Sequence, residues 1–353
     1  MLDPVQPRRG PAWRNRLLLA PLTNTQSHPD GTLSDDEHRW LVRRAQGGFG
    51  LVMTCASHVQ QQGQGFPGQL GIWSDDHLPG LTRLATDLRA HGAVSSVQLH
   101  HAGRRSPRDL VAQPVGPSDD EARGVRGLTE EEVVRLRDDF VDAAVRARRA
   151  GFDGVEVHGA HGYVLAQFLS ARENRRDDAW GGDLAGRSRL LREVVTGIRA
   201  SCGEDFQVGV RLSPERFGMR LAEVRELSAE LMAGGEVDYL DLSLWDTGKL
   251  PEEEEHRSRP LLDWFTDLPR SGTLLGVAGQ VRSARRAQEL LDADVDVVLL
   301  GRAAVLHADF PLRAAADPGF EATATPVTEE YLEGEGVGPA FRSYLRAWEG
   351  FVA

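Results

Sequence analysis

Short apolar runs alternate with amphipathic stretches along most of this chain. Eight of the runs are rich in leucine or β-branched residues: Leu17 to Thr23, Leu51 to Ser57, Ser95 to His101, Gly154 to Ala160, Gln207 to Ser213, Tyr239 to Trp245, Thr273 to Gly279 and Val297 to Ala303. Between most of them the period becomes that of a helix. Glu130 to Ala150, for example, sets Val133, Val134, Phe140, Val141, Ala144 and Val145 along one stripe. Near-continuous apolar strands alternating with amphipathic helices predict a parallel sheet covered by helices, and eight such units predict closure into a (β/α)8 TIM barrel of eight parallel strands. A doubly wound sheet is the structural alternative. It fits less well, because no early strand runs directly into a glycine-rich turn and a helix, and polar residues gather at the ends of many strands.

All 353 residues are read as a single domain, a barrel over about 15 to 310 followed by a tail over 311 to 353. Two connections are longer than a strand-to-helix turn requires: Arg104 to Leu128, a capping excursion after the third strand, and Asp246 to Arg259 after the sixth. Both are expected over the barrel mouth. Asp317 to Gly338 is rich in Pro, Gly, Thr and Glu, and Pro339 to Trp348 reads as a short terminal helix.

The 41 basic and 53 acidic residues leave a net charge of -12 with no basic stripe, which argues against nucleic acid as a partner. The run Glu252 to Glu255 reads as a solvated loop. Cys55 and Cys202 are far apart and form no C-x-x-C pattern, so no disulfide framework, zinc site or iron–sulfur site is expected. The opening MLDPVQPRRG lacks the apolar stretch of a signal peptide, and no apolar run approaches membrane-spanning length. The expectation is a soluble cytoplasmic protein with no membrane partner.

Strand parity sorts the candidate chemistry, since alternate residues of a barrel strand point inward. In SSVQLHH, Val97 and Leu99 share one face and Gln98 and His100 the other; in GVEVHGA, Glu156 and His158 face inward; in QVGVRLS, Arg211 does. Gln98, His158 and Arg211 therefore converge. An arginine inside a barrel needs an anion, either a carboxylate such as Glu156 or Asp241 or a negative edge of a cofactor. Gly279, and Gly301 with Arg302, stand after the seventh and eighth strands, the usual place for phosphate in barrels; the alternative is a tight turn that needs glycine. HGAHGY sets His158, His161 and Tyr163 at the end of the fourth strand. This spacing fits a metal pair, a hydrogen-bonded pair, or two donors to one substrate oxygen with a tyrosine as proton source; no carboxylate or cysteine at ligand spacing supports the metal. GQGFPG at Gly63 to Gly68 matches a dinucleotide pattern but contains a proline and opens no helix, so it reads as a loop.

Several segments in order resemble the Old Yellow Enzyme family of FMN-dependent ene-reductases: NRLLLAPLT at Asn15, GGFGLVMTCAS at Gly47, VQLHHAGR at Val97, AGFDGVEVHGAHGYVLAQFLS at Ala150, ENRRDDAWGG with Arg187 beyond it, VGVRLS at Val208 and LLGRAA at Leu299. The resemblance covers about residues 15 to 310. It implies that Pro21, Leu22, Thr23, Ala56 and Gln98 contact the flavin ring of FMN, that Arg211 meets its N1–O2 edge, and that Gly279, Gly301 and Arg302 hold its phosphate. It also implies that NAD(P)H and a small-molecule activated alkene bind in turn over the same flavin face. His158 and His161 would hold the substrate's carbonyl or nitro oxygen, and Tyr163 would supply the proton. Arg346 is a counterpart of a C-terminal arginine that some relatives insert into a neighbouring subunit, which leaves a homo-oligomer open. Thr23 resembles the yeast-like branch of the family, whereas the His158 and His161 pair resembles the branch that often carries cysteine at the Thr23 position; Gln280 stands where a second glycine is common and Trp180 where tyrosine is frequent, and neither is expected to abolish FMN binding. Two further functions remain: a flavin-bound isomerase or tailoring enzyme, and a flavin-free barrel lyase or isomerase acting on a phosphorylated substrate.

Overall fold

The computed structural model describes residues 1–353. Eight parallel strands close into a barrel, each paired with the next in sequence and the last with the first: β1 (Leu17–Leu19), β2 (Leu51–His58), β3 (Val94–His100), β4 (Gly154–Gly159), β5 (Gln207–Leu212), β6 (Tyr239–Ser243), β7 (Leu274–Ala278) and β8 (Val297–Leu300). The strands are shorter than most of the apolar runs that predicted them. Pairing of β1 with β8 ends soon after Leu19↔Leu300, which leaves Ala20 to Thr23 as irregular backbone at the mouth. β8 stops at Leu300 because Gly301 turns the chain into a short helix, Arg302–Leu306.

Long helices lie outside the strands, and their ends are written in the sequence. The 21-residue helix Glu130–Ala150 starts in a reciprocal capping box between Thr129 and Glu132 and stops at Gly151, whose φ of 92° is a left-handed cap. Its buried face, including Val133, Leu136, Phe140 and Ala144, joins the apolar layer between helices and strands. A second, smaller cluster fills the barrel interior, with Leu18, Leu51, Met53, Tyr239, Val297 and Leu299 forming its floor above Trp13. Gly209 makes room for that floor, since a Cβ there would lie 2.0 Å from the Tyr239 ring.

In β2 simple alternation fails. Leu51 and Met53 face inward, so Cys55 should follow them. A register shift between Met53 and Ala56 reverses the parity instead, turning Cys55 toward the helix layer and Ala56 toward the mouth.

The excursion after β3 carries a two-residue parallel ribbon, Val115–Gly116 with Arg126–Gly127. It also carries Arg104, which is clamped by Asp120 and Glu173. The tail folds back across the barrel. Phe341 is buried with its ring edge-on to Trp40, Tyr331 donates to the carbonyl of Leu306 (2.8 Å), and Val327 N–H donates to Phe351 O (3.0 Å). No helix is long and apolar enough to cross a membrane.

Candidate active site

The C-terminal ends of the strands surround a pocket of about 850 Å³. The residues expected from the resemblance to contact cofactor or substrate line it: Pro21, Leu22 and Thr23 after β1, Ala56 on β2, Gln98 on β3, His158, His161 and Tyr163 on and after β4, Arg211 on β5, Gly279 after β7, and Gly301 and Arg302 after β8. The volume lies in the range of cofactor sites.

Behind the first loop sits Glu37, fully buried on the helix Asp35–Gln46. It accepts from Asn24 Nδ2 (3.0 Å) and from the Ser27 hydroxyl, and these bonds hold the backbone that follows Pro21–Thr23. Burial pushes its carboxyl above the ordinary carboxylate range.

Inside the barrel, both proposed partners of Arg211 find a place. Its Nε lies 2.9 Å from Asp241 Oδ2, a pair made across adjacent strands at register partners. The pair is poorly aligned for a hydrogen bond, and neither Asp241 oxygen has another partner. Arg211 thus keeps donors to offer the pocket. Glu156, one strand over, accepts from Gln98 Nε2 at 2.7 Å. That bond uses the amide nitrogen and leaves Gln98 Oε1 free to accept from a bound molecule. Burial, then the charge of Asp241, raises the Glu156 carboxyl to about 8. Burial raises Asp241 as well, against the pull of Arg211.

At the other side His158 and His161 form a chain with a readable tautomer. The Ala160 N–H donates to His158 Nδ1 (3.2 Å), so His158 carries its proton on Nε2. That Nε2 meets His161 Nδ1 at 3.3 Å, and His161 Nε2 donates to Ser243 Oγ at 2.7 Å. His161 has a positive φ of 58°, and the N–H of His161 donates to Ser213 Oγ while Arg105 Nη1 donates to its carbonyl (2.5 Å). Burial lowers His161 to about 3 and His158 well below the ordinary imidazole value, so both rings are neutral donors. Tyr163 stands edge-on to His158 (5.2 Å between centroids) and to His100 (4.3 Å). Burial raises its phenol above the ordinary value, keeping it protonated, although the Arg105 guanidinium 5.1 Å from its ring pulls the other way.

At the far end Gly279 approaches backbone so closely that a Cβ would lie 3.1 Å from the amide nitrogens of Asp246 and Thr247. Arg302 is exposed at this edge of the mouth, with its guanidinium 5.8 Å from the Trp348 ring, and it has no carboxylate partner of its own. An uncompensated cation beside bare backbone suits a phosphate.

The pocket also contains residues that the sequence reading missed. Ser243 and Ala278 were accessible to the parity rule, since they continue Asp241 on β6 and Gly276 on β7. Thr325, Tyr344, Trp348, Glu349 and Phe351 come from the tail, where no periodicity marked them. Arg346 pairs with Glu329 of its own chain.

A parallel barrel with a phosphate-type cradle at one end and two neutral imidazoles and a phenol at the other defines a cofactor-dependent barrel enzyme. The profile of the NADH:flavin oxidoreductase / NADH oxidase family matches residues 6–318, and the chain belongs to that family. It is an NAD(P)H-dependent flavin oxidoreductase of Old Yellow Enzyme type, with FMN as its cofactor. It is similar to the probable NADH-dependent flavin oxidoreductase YqiG of Bacillus subtilis, 35% identical over 86% of this chain and 84% of that protein. Among solved structures it resembles the old yellow enzyme homologue of Zymomonas mobilis (TM-score 0.81, 27% identity, 96% of this chain and 99% of that one). It also resembles a 2-naphthoyl-CoA reductase (TM-score 0.81, 26% identity, 89% of this chain), of which it spans 52%.

The residues present fit FMN on three counts. Arg211 and Gln98 offer, at the barrel centre, free donors and a free acceptor. Arg302 offers an unneutralised cation, and a side chain at Gly279 would crowd the cradle.

Proposed function

We propose that this chain, acting as one FMN-binding unit, is an ene-reductase that saturates the C=C bond of α,β-unsaturated carbonyl or nitro compounds at the expense of NAD(P)H. The observation that carries this reading is the grouping of His158, His161 and Tyr163 around one end of the cofactor pocket, with both imidazoles neutral and the phenol protonated.

Pro21, Leu22, Thr23, Ala56 and Gln98 would line the flavin ring, Arg211 would face its N1–O2 edge, and Gly279, Gly301 and Arg302 would hold the phosphate. When bound, FMN supplies the two-electron chemistry, taking hydride from NAD(P)H and delivering it to the β-carbon of the alkene. His158 and His161 receive the substrate's oxygen. Their mutual contact of 3.3 Å is long for an imidazole pair and is the least costly bond in the cluster to give up. Giving it up frees the His158 Nε2–H, and the His161 Nε2–H turns to the same oxygen from Ser243 Oγ; both donors then draw electron density out of the alkene and stabilise charge that develops on the oxygen, an effect worth about 3 kcal/mol per donor in comparable sites. Tyr163 then gives its phenolic proton to the α-carbon, and Arg105 beside its ring steadies the phenolate left behind. The isomerase alternative gives Tyr163 no such task.

The test is anaerobic turnover of cyclohexenone with NADH or NADPH. Formation of one cyclohexanone for each nicotinamide oxidised supports the proposal. Nicotinamide oxidation that requires oxygen, with the enone recovered intact, overturns it.

A further inference from the structure

The family match ends at residue 318, yet the pocket wall continues beyond it through Tyr344, Trp348 and Phe351. This part of the chain is fixed on both flanks of the mouth. On the β1 side Gly338 N–H donates to Gln26 Oε1 (2.9 Å) and Thr25 Oγ1 to Ala340 O (3.2 Å); on the β8 side Tyr331 bonds the carbonyl of Leu306. Phe341 and Leu345 are fully buried in the main core. Trp348 is braced edge-on between Tyr344 (5.8 Å) and Phe351 (5.2 Å).

Arg302 is the second part of the observation. Most arginines of this chain lie beside a carboxylate, whereas Arg302 is held against the Trp348 ring (5.8 Å). An aromatic face orients a guanidinium without neutralising it, so the full positive charge stays available to a dianion. The same stretch contributes the exposed Glu349, whose charge would oppose a phosphate, so any help from the tail must come from the indole and not from charge.

We propose that the C-terminal segment from Pro339 to Phe351 is part of the cofactor site, with Trp348 forming one wall of the phosphate cradle and orienting the exposed Arg302 toward it. The proposal rests on FMN occupying this pocket. It adds a cofactor-binding residue that lies outside the barrel.

The test is the dissociation constant of FMN, read from the quenching of free flavin fluorescence as apoprotein is added. Trp348→Ala should weaken FMN by about tenfold or more, while Trp348→Phe, which keeps an aromatic face, should stay within about threefold of the parent. Hydrogen exchange of residues 339–353 in the unaltered protein supplies a readout independent of any variant's folding: FMN should slow it. An unchanged dissociation constant in a folded Trp348→Ala protein, or exchange in this segment indifferent to FMN, overturns the proposal. If the unaltered protein itself binds no FMN, the flavin assignment of the whole pocket falls with it.

Discussion

Burial holds the two pocket imidazoles neutral, and this sets how the alkene step responds to pH. An ordinary histidine would change charge near pH 6.5, but His161 does so only at about 3, and His158 is also lowered by burial and by its histidine and arginine neighbours. Tyr163 is raised above its ordinary value and keeps its proton across the same range. The second-order rate constant for reduced protein with cyclohexenone should therefore be level from about pH 5 to about pH 9. A break near 6.5 would mean that an imidazole titrates there and that the neutral-donor arrangement is wrong. At this scale much of the site was legible before any coordinates. Parity alone turned Gln98, His158 and Arg211 inward, because alternation is a property of the strand and not of its neighbours. Parity could not choose the anion beside Arg211, since that depends on register between β5 and β6.

At the scale of elements, strands were legible as runs but not as lengths. Pairing decides where a strand stops, and pairing is made with residues far away in sequence. The bulge in β2 illustrates the limit: nothing in LVMTCAS announces that Cys55 and Ala56 exchange faces, yet the exchange is what brings Ala56 to the pocket. Gly209 is an opposite case, where one small residue meets one large one across neighbouring strands. Gly209→Ala should destabilise the barrel by about 1–3 kcal/mol or more, since its Cβ would press into the fully buried Tyr239 ring. The urea midpoint of the variant checks this. An unchanged midpoint would show that the floor repacks freely.

For the whole molecule, buried titratable groups of two kinds compete. His58, His101 and His161 are lowered to about 4, 3 and 3 by burial, and His100 and His158 are lowered too. The unfolded chain binds protons at these histidines below about pH 6.5 while the fold does not, so their effect is to make stability rise with pH up to about 6.5. Glu156, raised to about 8, works the other way: the fold keeps a proton that the unfolded chain has lost, so stability falls as pH rises from about 4.5 to 8. The histidines outnumber the raised carboxylates Glu37, Glu156 and Asp241. Stability should thus climb from about pH 4.5 to 6.5 and decline above it, and Glu156→Gln should flatten the decline. Urea midpoints across that range are the measurement; a decline that persists in the variant would remove Glu156 as its source. The tail belongs to this scale as well. It was read as a short helix after an irregular stretch, and its place over the mouth was hidden because its contacts are with residues some 300 positions earlier, such as Gln26.

The most direct test of alkene reduction is to bleach the flavin with NAD(P)H without oxygen and then mix the reduced protein rapidly with cyclohexenone. The yellow absorption should return as the enone is consumed, and Tyr163→Phe should slow that return by about 10²-fold or more while leaving the bleaching step within about twofold. Reduced protein that stays colourless beside the enone until air is admitted would contradict an ene-reductase.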